Sequence, residues 1–489
     1  MRCLIADLGD SRFRGNVSAV GGALIHFGAL ACRSVASRRE RTGWLTLWLL
    51  LAPRAAALLL TALSLMSEVE AQTYTTLYNF VPGSGAGSTG YPPSTALTQL
   101  GSALYGDTTW GGPANAGTIF SVGMNGGNYT VLHSFGVSGD GGPGLYAVSP
   151  FTAMTAVGSA IYGTTYGGGT NNEGSLFKIN SGGGGYTILH SFGGGGDGNQ
   201  PITTLLDVGS TLYGTCTAGG SSGGGTIFTI NSSGGYSTLY SFSGGTQTEG
   251  PSCGLTLVGS ELYGTVFHGG THALGEIFSI NTNGSGFTDL YNFTGLADGE
   301  QPYGTLATDG SNLYGVNSSG GTHYSGVLYR IALNGSGFTV LNNDTNGSFS
   351  TSPPTLVGST LYCDGGGSNR NDIFQINTNG TGYKELYTFP NGTYSGSSLL
   401  FNGGMLYGTD QFGGANGQGT VFALSLVTPE PSTLAVLSAG ALGLVGYGWR
   451  HRRAARRTAK PAALDQPDAP AILSFPSHSP PANAARKAA

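Results

Sequence analysis

Charge is scarce in this chain of 489 residues: Asp, Glu, Lys and Arg make up only 9% of it, against roughly a quarter in an average soluble domain. Charge-laced helical surfaces are therefore scarce too, and turns, short strands and Ser, Thr and Asn side chains must do the solvating. No basic run stands out between the two ends, and the net charge is −5. Without a concentrated basic footprint, nucleic-acid binding is set aside. Cysteine is equally sparse. Cys3 and Cys32 fall in the leader, and Cys216, Cys253 and Cys363 lack CxxC spacing, which leaves no zinc signature. One disulfide, Cys216–Cys253, fits an exported protein; three small buried thiols is the plainer reading. No GxSxG elbow, HExxH, phosphate loop or nucleotide fingerprint occurs.

What the chain has in abundance is glycine, 88 residues of it, and a repeating unit. The marker LYG or IYG starts at 104, 161, 212, 262, 313 and 406, with LYC at 361, in steps of 57, 51, 50, 51, 48 and 45 residues. Periods near 50 point to propellers or solenoids. An apolar run and a turn, such as TLLDVGS (204–210), precede each marker. A strand such as GTIFTI (225–230) follows it, and then a glycine turn leads into a phrase such as YSTLYSF (236–242). Four short strands per unit, here called a, b, c and d, with Gly/Asn/Ser turns between them, make a propeller blade.

The chain has seven b strands and seven c strands, and the repeats stop on a c strand, GTVFAL (419–424). The missing d strand stands at the front, as YTTLYNF (74–80). The predicted fold class is therefore all-β: a seven-bladed β-propeller of four-stranded antiparallel blades, with the N-terminal strand closing the last blade. Closure of this kind leaves no blade edge open. FTVLNND (338–344) is the degenerate d strand, which makes its blade the expected weak point. The Tyr of LYG and the Phe of GTIF read as packing between neighbouring sheets.

The two ends read as addresses. Arg38, Arg39 and Arg41 precede an apolar stretch that ends at Val69-Glu70-Ala71, the layout of a secretory signal peptide cut between Ala71 and Gln72. An uncleaved signal anchor is the rival reading. Near the other end, 433–449 is uncharged and mostly apolar, spanning about 26 Å as a helix, near the lower limit for one C-terminal transmembrane helix. Arg450, Arg452 and Arg453 follow as a stop-transfer cluster. The domain plan is a leader over 1–71, a propeller over 72–427, a sorting segment over 428–457 and a Pro/Ala-rich tail over 458–489 read as disordered.

Pro429-Glu430-Pro431, the apolar helix and the arginines together resemble the PEP-CTERM sorting signal of exopolysaccharide-producing Gram-negative bacteria. The resemblance implies that these three residues are recognised by an exosortase-like membrane enzyme, and that the chain passes through the inner membrane to the cell surface, outer membrane or extracellular matrix. LYGTT-GG, GTIF and YT-LHSF are similar to the GloVer-type tandem repeat of secreted bacterial proteins over about 74–426, a resemblance that supports export and implies no reaction.

In a propeller the b-to-c and d-to-a loops share one face, and loops on a rigid scaffold carry function. The candidate ligand face comprises Trp110, Tyr166, Phe267 and Phe412, which could stack on sugar rings, with the acids Asp140, Asp197, Glu249 and Asp298. One or two acids per loop fall short of the six to eight oxygens calcium takes, so Asp-Gly turn formation is the first reading and calcium the second. His268 and His272 in HGGTH have the chemistry to ligate a metal but nothing to fix their geometry. His133 and His190 alternate with tyrosine in the d strands and read as packing. No catalytic residue, metal or cofactor is assigned. The expected function is a non-catalytic structural or binding module for exopolysaccharide or a surface protein, served by signal peptidase and a sorting enzyme. The alternative is a secreted polysaccharide lyase or hydrolase.

Overall fold

The computed structural model describes residues 72–426 apart from 82–89, 94, 137–139, 141–151, 194–195, 244–249, 252, 344–351, 366–371 and 391–396. The leader, the Pro-Glu-Pro segment, the 433–449 helix and the tail lie outside the described residues. Among those described, no helix is long and apolar enough to cross a membrane.

Every element is a strand. Blade 1 runs a (Thr98–Leu100), b (Ala103–Trp110), c (Thr118–Gly123), d (Thr130–Ser134), with Tyr91–Pro93 added at the far end of b. Blade 2 runs from Thr155–Val157 to Thr187–Ser191, blade 3 from Leu206–Val208 to Tyr236–Ser241 and blade 4 from Thr256–Val258 to Thr288–Asn292. Blade 5 runs from Glu300–Thr308 to Thr339–Asn343, and blade 6 from Thr355–Val357 to Lys384–Thr388. Blade 7 joins Leu400–Asn402, Met405–Asp410 and Thr420–Ser425 to the N-terminal strand Tyr74–Asn79. That strand lies antiparallel to Thr420–Ser425, with Tyr74 opposite Leu424 and Asn79 opposite Thr420. Ser425 N–H donates to the Thr73 carbonyl and Phe80 N–H to that of Gly419, both at 3.0 Å. The expected strand exchange is present.

Strands b and c are covered by a blade on each side, so their residues are buried on both faces, as in TIFTIN of blade 3. Seven apolar clusters fill the seven gaps between consecutive blades, the last joining Phe80, Tyr407 and Val421 of blade 7 to Leu97, Leu104 and Phe120 of blade 1. The glycine of LYG exists for this packing. A Cβ on Gly214 would sit 2.4 Å from Cζ of Phe228 on strand c, and five other blades show the same approach. Six of the seven marker tyrosines are buried as expected and Tyr362 is half-buried, and the hydroxyl of Tyr105 donates to Ser181 O of the next blade at 3.2 Å.

The d phrase holds the outer ends together. In every d strand the leucine is bulged out of register, and for six of the seven a turn glycine of the following blade covers its carbonyl, as Gly284 covers Leu239; Leu386 has none, since blade 7 has no c-to-d turn. The first aromatic of each phrase lies flat on the fifth residue of the preceding one. The pairs are Tyr78–Tyr129, His133–Tyr186, His190–Tyr236, Tyr240–Phe287, Tyr291–Phe338 and Tyr387–Tyr74, with centroids 3.8–4.5 Å apart and planes within 7°. Such pairs contribute about 0.5–1.5 kcal/mol each beyond area burial. Asn342, which has no ring, occupies the fifth place in blade 5.

Threonines join the inner strands. Thr155 donates to Leu205 O at 2.6 Å and Thr256 to Leu306 O at 2.5 Å, while Thr98 reaches Met154 O in the same way. Blade 5 has Ala307 at this position, so the blade 5–6 seam has neither the threonine link nor a ring from residue 342. Where b meets c, each blade buries a pair, such as Thr108 with Thr118 at 2.9 Å and Thr165 with Ser175 at 2.8 Å. Blade 4 puts Glu276 in this row opposite Val266. Burial pushes its carboxyl up to about 7; nearby Asp289 adds to the rise, and a Gly270 backbone hydrogen bond opposes it.

Three outcomes follow from this packing. Deleting residues 74–80 removes a whole d strand and two flat stacks, so the thermal midpoint should fall sharply; an unchanged midpoint would refute closure by this strand. Amide hydrogen exchange should be faster in Thr339–Asn343 than in the d strands of the other blades. Finally, the Glu276 carboxyl titrates higher in the fold than in the unfolded chain. Its contribution to stability is therefore full below pH 4.5 and is lost as pH rises through about 7. Glu276→Gln should match the parent in denaturant midpoint near pH 4 and exceed it progressively toward pH 8.

Candidate functional site

The d-to-a and b-to-c connections meet on one face, because the residues before each a strand pair with the far end of b. Tyr91 lies opposite Trp110, Gly198 opposite Gly219, Pro251 opposite Val266 and Glu300 opposite Ser319. On this face an open cavity of about 260 Å³ lies at the inner edges of the blades. Its lining is built from small polar residues, Thr95, Thr152, Thr204, Ser352 and Ser397 among them, with Tyr303 as the one aromatic among the described lining residues. None of the described lining residues carries a carboxylate or an imidazole.

Part of this lining is engaged by the fold. Thr152 donates to Thr203 O at 2.8 Å, Thr409 to Thr95 O at 3.2 Å, and Thr95 to Asp107 Oδ2 at 2.6 Å. Cys253 also faces the cavity, with its Sγ 3.2 Å from Thr265 Oγ1. Cys216, Cys253 and Cys363 are free and buried, so the Cys216–Cys253 bridge is not formed. Burial raises all three thiols above the usual cysteine range, which disfavours the thiolate a nucleophile needs.

The acids take a role that the sequence reading missed. Asp140 Oδ1 is 3.0 Å from His133 Nε2, and Asp197 Oδ2 is 2.9 Å from His190 Nε2. Asp298 Oδ2 accepts from the Tyr291 hydroxyl at 3.1 Å, and Thr294 donates to the same carboxylate through its hydroxyl at 2.6 Å and its N–H at 2.9 Å. Each acid thus ties its loop to the fifth residue of the d phrase, seven positions earlier. The histidines are more than packing, but each is clamped between this acid and a stacked tyrosine. Glu249 lies outside the described residues.

Tyr166 and Phe412 are exposed on the loop face, at 37% and 44%, whereas Trp110 and Phe267 are half-buried. Phe267 meets His268 edge-on at 4.4 Å and also contacts Tyr303. His268 Nε2 is 3.2 Å from Gln301 Nε2, while His272 stands exposed at its loop tip. Among the described residues no three His, Cys, Asp or Glu side chains are placed to hold a metal. The face therefore offers stacking surfaces and neutral hydrogen-bonding groups around a small polar cavity. Its acids are spread around the loops.

No curated protein matches the chain. Solved structures similar to it include an oligogalacturonate lyase in complex with manganese, at 12% identity and TM-score 0.49, covering 74% of this chain and 97% of that one. Another is the extracellular domain of the putative one component system BT4673 from B. thetaiotaomicron, at 11% identity and TM-score 0.48, covering 72% of this chain and 40% of that one. A third is a Mycobacterium tuberculosis puromycin-hydrolyzing peptidase, at 13% identity and TM-score 0.47, covering 72% of this chain and 56% of that one. The PEP-CTERM protein-sorting motif matches residues 427–453; it implies recognition by an exosortase-type enzyme and points to export in a Gram-negative-type bacterium. The Gloeobacter/Verrucomicrobia repeat matches residues 65–223 and 149–363, well over half of the sequence, and the chain belongs to that repeat family.

Proposed function

We propose that this chain is an exported, non-catalytic propeller, anchored at the cell surface or in the extracellular matrix, that serves as a structural or binding module. The observation that carries this reading is where the titratable groups go. Acid–base catalysis needs two such groups within reach of one reacting atom. Here Asp140, Asp197 and Asp298 are each engaged by their own d strand, and two of the cavity's hydroxyls, those of Thr95 and Thr152, already donate to a side-chain and a backbone oxygen. A ring held together on every side is suited to presenting loops. The exposed Tyr166 and Phe412, among Gly, Ser, Thr and Asn, favour a ligand rich in hydroxyl groups and C–H faces.

The test pairs a glycan array with a turnover assay on the purified full chain, each with and without calcium. Selective binding without new reducing ends or unsaturated sugar products is expected. Product release from any polysaccharide on the array would overturn the reading in favour of a lyase or hydrolase.

A further inference from the structure

The b-to-c loops share one turn, in which a residue N–H donates three positions back to a glycine carbonyl: Asn115 to Gly112, Ala273 to Gly270, Tyr324 to Gly321 and Gly417 to Gly414, at 3.1–3.3 Å. The donor residue sits in left-handed backbone, at φ +54° for Asn115, +55° for the small Ala273 and +63° for Gly417. Glycine and asparagine accept that conformation readily. Blade 5 places Tyr324 there, at φ +57°, and leaves 83% of it exposed. Neither backbone preference nor packing accounts for a tyrosine at this corner. Strained residues of this kind gather where ligands are met.

The surroundings suit a ligand. Segment 294–301 runs between the loops of blades 4 and 5. Gln301 N–H donates to Leu274 O on one side, and Gly321 N–H donates to Leu296 O on the other, both at 2.8 Å. These bonds join the tips THAL (271–274) and THYS (322–325) to one segment, on which Leu296 is 73% exposed. His272, Thr322 and His323 are exposed as well. Both oxygens of Asp298 are taken by Tyr291 and Thr294, and Glu300 is half-buried beside Gly295.

We infer that this pair of loop tips binds a neutral polysaccharide chain. The Tyr324 ring packs against the C–H face of a sugar, and His272, Thr322 and His323 hydrogen-bond its hydroxyls. One ring and one leucine fall far short of the roughly 800 Å² per partner of a stable protein interface. No Lys or Arg lies on either tip to hold an acidic polymer. The inference rests on the reading of the chain as a binding module and locates the site.

The test is affinity electrophoresis of the full chain in mild detergent, through gels containing dextran, laminarin, galactomannan or alginate. At least one of the three neutral polymers should retard the chain and alginate should not. Tyr324→Asn should weaken retardation about tenfold or more. Its Tm should equal or exceed the parent's, because asparagine suits the turn; a merely structural tyrosine would give the opposite change in Tm. Retardation unchanged in Tyr324→Asn, absent from all three neutral gels, or seen with alginate alone overturns the inference. A double variant, Tyr166→Ser with Phe412→Ser, separates the two readings. If it loses retardation while Tyr324→Asn keeps it, the module binds sugar on the same face and the site named here is wrong.

Discussion

The ring depends on the pairing of Tyr74–Asn79 with Thr420–Ser425. The tyrosines of this one strand make two of the six flat stacks, Tyr74 on Tyr387 of blade 6 and Tyr78 on Tyr129 of blade 1. Its Phe80 lies in the cluster between blades 7 and 1. Asn79 Oδ1 accepts from Ala415 N–H, and the Phe80 carbonyl accepts from Asn416 Nδ2, both at 2.8 Å. An open row of blades would expose two apolar sheet faces. Closing it with a strand from the other end of the chain covers both.

The odd composition follows from the same geometry. When b and c are covered on both faces, the repeat has little surface on which charge is of use. The glycines mark close approaches, such as that of Gly214 to Phe228, and threonines such as Thr155 and Thr256 supply links between blades. Of the carboxylates that remain, Asp140, Asp197 and Asp298 are loop ties, while Glu276, Asp107 and Asp364 are among those buried in the blades.

Much of this was legible in the residues. Seven LYG-type markers count seven blades, and a d phrase with no unit before it shows how the ring closes, because blades are local units whose strands follow one another. FTVLNND was readable as the odd phrase for the same reason. The His133–Asp140 and His190–Asp197 ties were not, although both pairs are seven residues apart. An i+7 spacing across a bulged strand and a loop has no standard periodicity, and histidine alternating with tyrosine looked like packing alone. The flat stacks also escaped notice, since each forms between phrases some 50 residues apart. Tyr324 was missed because exposure and backbone φ leave no mark on a single loop's sequence. Only comparison with Asn115, Ala273 and Gly417 in the folded ring shows it as the large, exposed side chain at this corner.

Blades 1 to 6 each complete themselves within one stretch of chain, whereas in blade 7 the Tyr74 hydroxyl lies 3.4 Å from that of Thr420, 346 residues away. A chain made from its N-terminus presents this strand first and its partner last. Six blades can therefore form while an unpaired strand waits at one end, and the final closure pays the largest loop entropy of the whole fold. During that interval the waiting strand fits any blade 7 that lacks its own. The seam that makes a finished ring self-contained is thus also the point at which two unfinished chains could be joined by exchange.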